Sequence, residues 1–171
     1  MKRILLLLLA SLLAWPMALP LRADDDVTSE LKSIEKLILE SRQKKDTEAE
    51  VNALAERASL FYNYDLNDSV LTVVRRDMER VKELAQWDVY YEMWGLVAST
   101  YVFIGQNNIA IHETKSMYED ANKRGNALGK GQANCIMGTA YSNLRNFDQS
   151  VDVFEKSLAE LSKLRPIPSV D

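Results

Sequence analysis

An all-α fold, with about three antiparallel helix pairs behind a leading helix, is predicted by three observations. First, the 171-residue chain holds only 6 Gly and 4 Pro. Pro16 and Pro20 fall near one end and Pro166 and Pro168 near the other, so the long middle lacks the residue that most strongly breaks helices. Second, apolar residues recur there at spacings of three and four. Val151, Phe154, Leu158, Leu161 and Leu164 form one such stripe, with Gln149, Asp152, Lys156, Glu160 and Lys163 opposite. Third, the pattern repeats at forty residues.

The repeat is read in columns. Tyr141 aligns with Tyr101 and Phe61, Leu144 with Ile104 and Tyr64, and Leu158 with Tyr118 and Met78. Gly138, Ala98 and Ala58 form a small-residue column that lets two helices approach closely, and the aromatics three positions later fill the space between helices. Asp68, Asn108 and Asp148 are residue types that cap helix N-termini, because their side-chain oxygens accept from exposed amides. Polar turns such as "GQNN" and "RNFD" separate the helices.

These columns predict first helices over 49–64, 88–104 and 129–144, and second helices over 68–86, 108–124 and 148–164. The units span 48–87, 88–127 and 128–165, followed by a coil over 166–171. One further step back from Asp68 lands on Thr28. Thr28 is a candidate cap, and Leu31, Ile34, Leu37 and Ile38 follow at helical spacing, so residues 24–47 are assigned to the leading helix, its body over 28–44. The polar back of the last helix is expected to close the stack.

Residues 1–23 are expected to be a secretory signal. Lys2 and Arg3 precede the apolar run Ile4 to Trp15, two prolines break it, and cleavage is expected after Ala23. The apolar run is shorter than the roughly 20 residues a spanning helix needs. The alternative is an uncleaved membrane anchor. Cleavage would take three of the 21 basic side chains (Lys2, Arg3, Arg22) and none of the 25 acidic ones, shifting the net charge from −4 to −7. Such an acidic domain lacks the clustered Lys and Arg that contact phosphates, so nucleic acid is not expected as a partner. A membrane is expected only through an uncleaved signal or a segment downstream. Cys135 is the single cysteine, so the core must stabilise an exported domain without an internal disulfide.

The repeated residues resemble the tetratricopeptide repeat family. Trp94, Val97, Ala98, Tyr101, Gly105 and Ala110 carry the resemblance in the middle unit, and Met137, Gly138, Tyr141, Leu144, Phe147, Phe154 and Pro166 in the last. Leu54, Ala58 and Phe61 carry it in the first, where Val70 replaces an alanine; Asn134 and Ser150 depart from the pattern in the last unit. The resemblance implies a right-handed α-α superhelix, a solenoid whose concave face is lined by first helices. The forty-residue spacing exceeds the family's usual thirty-four. Longer repeats of this sort look like the extracytoplasmic regions of bacterial sensor kinases and related regulators. The implied role is an exported, periplasmic or extracytoplasmic module that binds a protein or peptide as the sensory part of a signalling protein. The alternative is a structural scaffold or adaptor in a cell-envelope complex.

No enzymatic chemistry is expected, and no cofactor or metal. His112 is the single histidine, and one His with one Cys cannot build a structural zinc site. Cys135 is expected to be buried packing. "GNALGKG" at 125–131 reads as a connector between helices, since no strand precedes it. Binding is left. By the resemblance, the concave face comprises Asn52, Ser59, Tyr62 and Asn63, then Glu92, Ser99, Val102 and Phe103, then Gln132, Thr139, Ser142 and Asn143. These are mostly neutral polar residues with two aromatics, which suit an extended peptide. They include no Lys or Arg, so the family's basic clamp on a C-terminal carboxylate is not expected.

Overall fold

The computed structural model of the chain describes residues 20–164, with side chains from Val27 onward. It is all-helical, with no strand among the described residues. The helices are α1 Pro20–Lys44, α2 Thr47–Asn63, α3 (continuous through Asn67–Ser69, Val70–Val74 and Arg75–Glu83), α4 Trp87–Phe103, α5 Asn107–Arg124, α6 Ala127–Asn143 and α7 Phe147–Leu161. Most of the expected leader and the expected coil over 166–171 lie outside the described residues.

One turn recurs at half the sequence period. Lys45, Asp65, Ala85, Gly105, Gly125 and Arg145 all have positive φ, and they stand twenty residues apart. The next residue in each case donates its amide to a carbonyl five positions back: Asp46 to Ser41, Leu66 to Phe61, Gln86 to Val81, Gln106 to Tyr101, Asn126 to Ala121 and Asn146 to Tyr141. This is a left-handed helix stop that satisfies carbonyls the helix end would leave free. Each helix and its turn therefore occupy twenty residues, and a pair occupies forty.

The turn is tighter than the sequence suggests, and this moves the caps. Residues 46, 66, 86, 106, 126 and 146 are the N-caps. Asp68, Asn108 and Asp148 lie inside their helices, two positions past the cap. Asp68 and Asp148 still suit the positive end of the helix dipole there. Side-chain caps form instead at first helices: Asp46 accepts from Ala49 N at 3.0 Å and Asn126 from Gly129 N at 2.7 Å. The leading helix is likewise longer than expected. It starts at Pro20, so Thr28 is interior to it and caps nothing.

Val70–Val74 is a π-helical segment inside α3. Val70 and Val74 are both fully buried there. The wider turn sits where Val70 stands in place of a small alanine.

Consecutive helices pack on one another, and α2, α4 and α6 also touch in a row. No comparable contact joins α3, α5 and α7 among the described residues. The core runs through Leu54, Ala58, Val74, Val81, Tyr91, Val97 and Ala98, all fully buried. At α6–α7 the small-residue column is at its closest. A Cβ on Gly138 would lie 2.8 Å from the Phe154 ring. Ser150 Oγ donates to the Gly138 carbonyl at 2.9 Å and Ser157 Oγ to the Gly131 carbonyl at 2.7 Å. A serine at 150 thus ties α7 to the α6 backbone where an alanine would only pack.

The α7 stripe departs from expectation. The buried residues of α7 are Ser150, Val153 and Ser157. Val151, Phe154 and Leu158 are exposed, so the last helix has an apolar back rather than a polar one. Ser150 and Ser157 bond the α6 backbone, the Phe154 ring and Leu161 lie over Gly138 and Gly131, and the rest of Phe154 with Val151 and Leu158 reaches solvent.

Candidate binding groove

The groove is built by the row of first helices. Tyr62 comes from the last turn of α2. Ser99, Val102 and Phe103 are spaced three and four apart on α4, and Cys135, Ile136 and Thr139 likewise on α6. Together they enclose a cavity of about 360 Å³, open to solvent. Gly95 of α4 faces Gln132 and Ile136 of α6 beside it. A Cβ there would stand 3.6 Å from Ile136 Cδ1 and 3.5 Å from Gln132 Oε1.

The lining has a simple chemistry. Val102 and Ile136 give apolar walls, and Phe103, 62% exposed, gives an aromatic edge. Hydroxyls of Tyr62, Ser99 and Thr139 and the Cys135 thiol supply polar points, and no lining residue is charged. The Thr139 hydroxyl donates to the Cys135 carbonyl at 3.2 Å, which leaves its oxygen free to accept.

Five of the twelve candidate residues meet here: Tyr62, Ser99, Val102, Phe103 and Thr139. Seven do not, the exposed Ser142 among them. Asn52 lines a separate cleft against α1 with Leu37, Glu40 and Lys44. Ser59 and Asn63 line another with Glu30 of α1. The long leading helix therefore draws three α2 candidates away from the row. Asn143 Nδ2 donates to Asn107 Oδ1 at 3.0 Å, tying α6 to the start of α5. Gln132 lies beside Gly95 with its Oε1 buried and without a partner. Glu92 is exposed on α4 and lines none of these clefts, yet partial burial of its carboxyl, reinforced by the nearby Asp88 charge, raises its pKa above the ordinary value of 4.5.

Cys135 and Ile136 were missed as lining residues. Cys135 is exposed, not buried as expected. The signal was present, since both lie three and four positions before Thr139 and so share its face. His112 is exposed on α5, away from the row.

Among the described residues, no group of three or more His, Cys, Asp or Glu is placed to hold a metal ion. No helix among them is long and apolar enough to cross a membrane. Comparison with protein-family models, curated proteins and solved structures gave no match.

Proposed function

We propose that this chain is an exported helical-repeat module of the tetratricopeptide type that binds an extended protein or peptide segment in the groove between α2, α4 and α6. The carrying observation is the groove itself: three successive first helices contribute to one cavity with apolar walls, an aromatic edge and neutral polar points. An extended peptide inserts a side chain into such a cavity and hydrogen-bonds along its rim. The row of touching first helices supports a superhelical stack with this row on its inner side. The basic, then apolar, then small-residue order of residues 1–23 supports export, and the long repeat supports a sensory role in a signalling protein.

The test is selection of peptides from a displayed random library on the full chain. The affinity of each selected peptide is then measured against a Tyr62→Ala/Phe103→Ala variant. Aromatic anchors carry a large share of binding energy at such sites. A loss of at least tenfold is expected. If every selected peptide binds the variant as tightly as the parent, the groove reading fails.

A further inference from the structure

A second cavity, of about 440 Å³ and open to solvent, lies where the leading helix meets the first pair. Glu35, Ile38, Leu39 and Arg42 of α1 line it at helical spacing, so they share one face of that helix. Arg57 enters from α2, and Arg76 with Asp77 from α3. Three guanidiniums therefore meet in a chain that holds 25 acidic side chains against 21 basic ones.

These arginines keep unused donors. The Arg57 side chain is only 10% exposed. Its Nε and Nη2 both donate to a single oxygen, Asp77 Oδ2, at 3.0 and 2.6 Å. Its Nη1 has no acceptor among the described residues. Arg42 donates through Nε to Glu50, and its two Nη groups have no acceptor among the described residues either. Arg76, 72% exposed, has one acidic neighbour there, Asp77 Oδ1, at 3.8 Å from its Nε. A buried guanidinium N–H without an acceptor is costly, so an anion in this cavity would relieve Arg57 while meeting donors from three helices.

The charge of the lining selects the anion. Three arginines against Glu35 and Asp77 leave one positive charge in excess. One carboxylate matches that excess. A phosphate dianion would exceed it and face two acids in the same cavity. A carboxylate also presents two oxygens in a plane, which a guanidinium fork takes edge to edge. Ile38, buried, and Leu39, 60% exposed, add an apolar wall to the same cavity. Apolar walls with a few convergent charged groups are the usual make-up of a small-molecule site.

We propose that this cavity binds a small monocarboxylate with an apolar tail, the carboxylate held by Arg57, Arg76 and Arg42 and the tail laid against Ile38 and Leu39. No residue lines both this cavity and the groove, so the proposal goes beyond the groove reading and stands independently of it.

The probe is sodium isovalerate, titrated into the full chain at pH 7, where the carboxylate is ionised. Binding is followed through the arginine Nε–Hε signals by heteronuclear NMR. Isovaleramide, the uncharged isostere, and inorganic phosphate are the controls. Saturable movement of the Arg57 signal is expected with isovalerate, and both controls should bind at least fivefold more weakly. Arg76→Gln and Leu39→Asp should each weaken isovalerate binding at least fivefold, and Phe103→Ala should leave it unchanged. All three substituted side chains are exposed, so the fold is not at stake, and circular dichroism of each variant verifies it. Arg76→Lys should restore only part of the binding lost in Arg76→Gln, because an ammonium supplies the charge without the fork. No saturable response, equal binding of the amide, tighter binding of phosphate, or indifference to Arg76→Gln or Leu39→Asp overturns the proposal.

Discussion

The Arg80 guanidinium of α3 grips the Glu50 carboxylate of α2 with two hydrogen bonds, Nε to Oε1 at 2.9 Å and Nη2 to Oε2 at 3.0 Å. Arg42 of α1 adds a third at 2.7 Å, so one buried acid joins the first three helices. These bonds are geometrically specific because a planar guanidinium matches a carboxylate edge to edge.

Glu50→Gln should therefore destabilise the domain by about 1–2 kcal/mol, a figure reduced because both arginines remain partly exposed and water can solvate them. The Arg80 hydrogen bonds, with help from Arg42, hold the Glu50 pKa below its ordinary 4.5. A lowered folded-state pKa means stability present above about pH 4.5 and lost as pH falls through the folded value. Urea midpoints for parent and variant should differ at pH 7 and converge in acid. A gap that does not narrow as the pH falls below 4.5 would show that the charge is not the cause.

Glycines at helix interiors separate close packing from simple absence of a side chain. Gly138→Ala drives a methyl into the Phe154 ring, so it should cost about 1–3 kcal/mol. Gly95→Ala meets only ordinary contacts, with 3.5 Å the nearest, and should instead stabilise α4 by about 0.5–1 kcal/mol. Thermal melts of the two variants should move in opposite directions. Equal shifts would mean that the α6–α7 seam relaxes freely.

Glu92 carries the opposite pH signature. Burial, then repulsion from Asp88, raises its pKa above 4.5, so its ionised form is less favourable folded than unfolded. The associated stability is present below about pH 4.5 and lost as pH rises through the raised value. Glu92→Gln should raise the melting temperature at pH 7 slightly, because the side chain is exposed and water screens much of the effect. The gain should vanish near pH 4. A lower melting temperature at pH 7 would show instead that the carboxylate makes a favourable contact.

Much of the architecture was legible in the sequence because periodicity survives substitution. Ala58, Ala98 and Gly138 are buried as the small-residue column required, and the helix boundaries fall close to those expected. The turns were harder to read. Only two of the six left-handed positions carry glycine; Lys45, Asp65, Ala85 and Arg145 adopt the same φ with side chains that do not announce it. That concealed the twenty-residue period and misplaced the caps. The groove was partly legible for a related reason. Tyr62, Ser99, Phe103 and Thr139 follow from the first-helix face, but Asn52, Ser59 and Asn63 turn toward α1, whose packing no column encodes. The packing of α7 on α6 depends on Gly138 and Gly131, whose carbonyls accept from Ser150 and Ser157 and whose missing side chains make room for Phe154 and Leu161, a relation between helices rather than within one.

The recurrent turn can itself be tested, because its left-handed residues differ in chemistry at fixed geometry. Ala85 has φ of 55° and Gly105 has φ of 78°. An L-residue in that region costs roughly 1–2 kcal/mol, which glycine avoids. Glycine also loses more conformational freedom on folding, which returns about 0.4–1 kcal/mol of that difference. Ala85→Gly should thus stabilise the domain by about 0.5 kcal/mol. Gly105→Ala should destabilise it by a comparable amount, with no clash to add, since nothing lies within 4 Å of the Cβ it would gain. Urea titration of the two single variants checks both signs. If Ala85→Gly is destabilising, its methyl group packs in the turn, and the six turns are alike in backbone but not in what holds them.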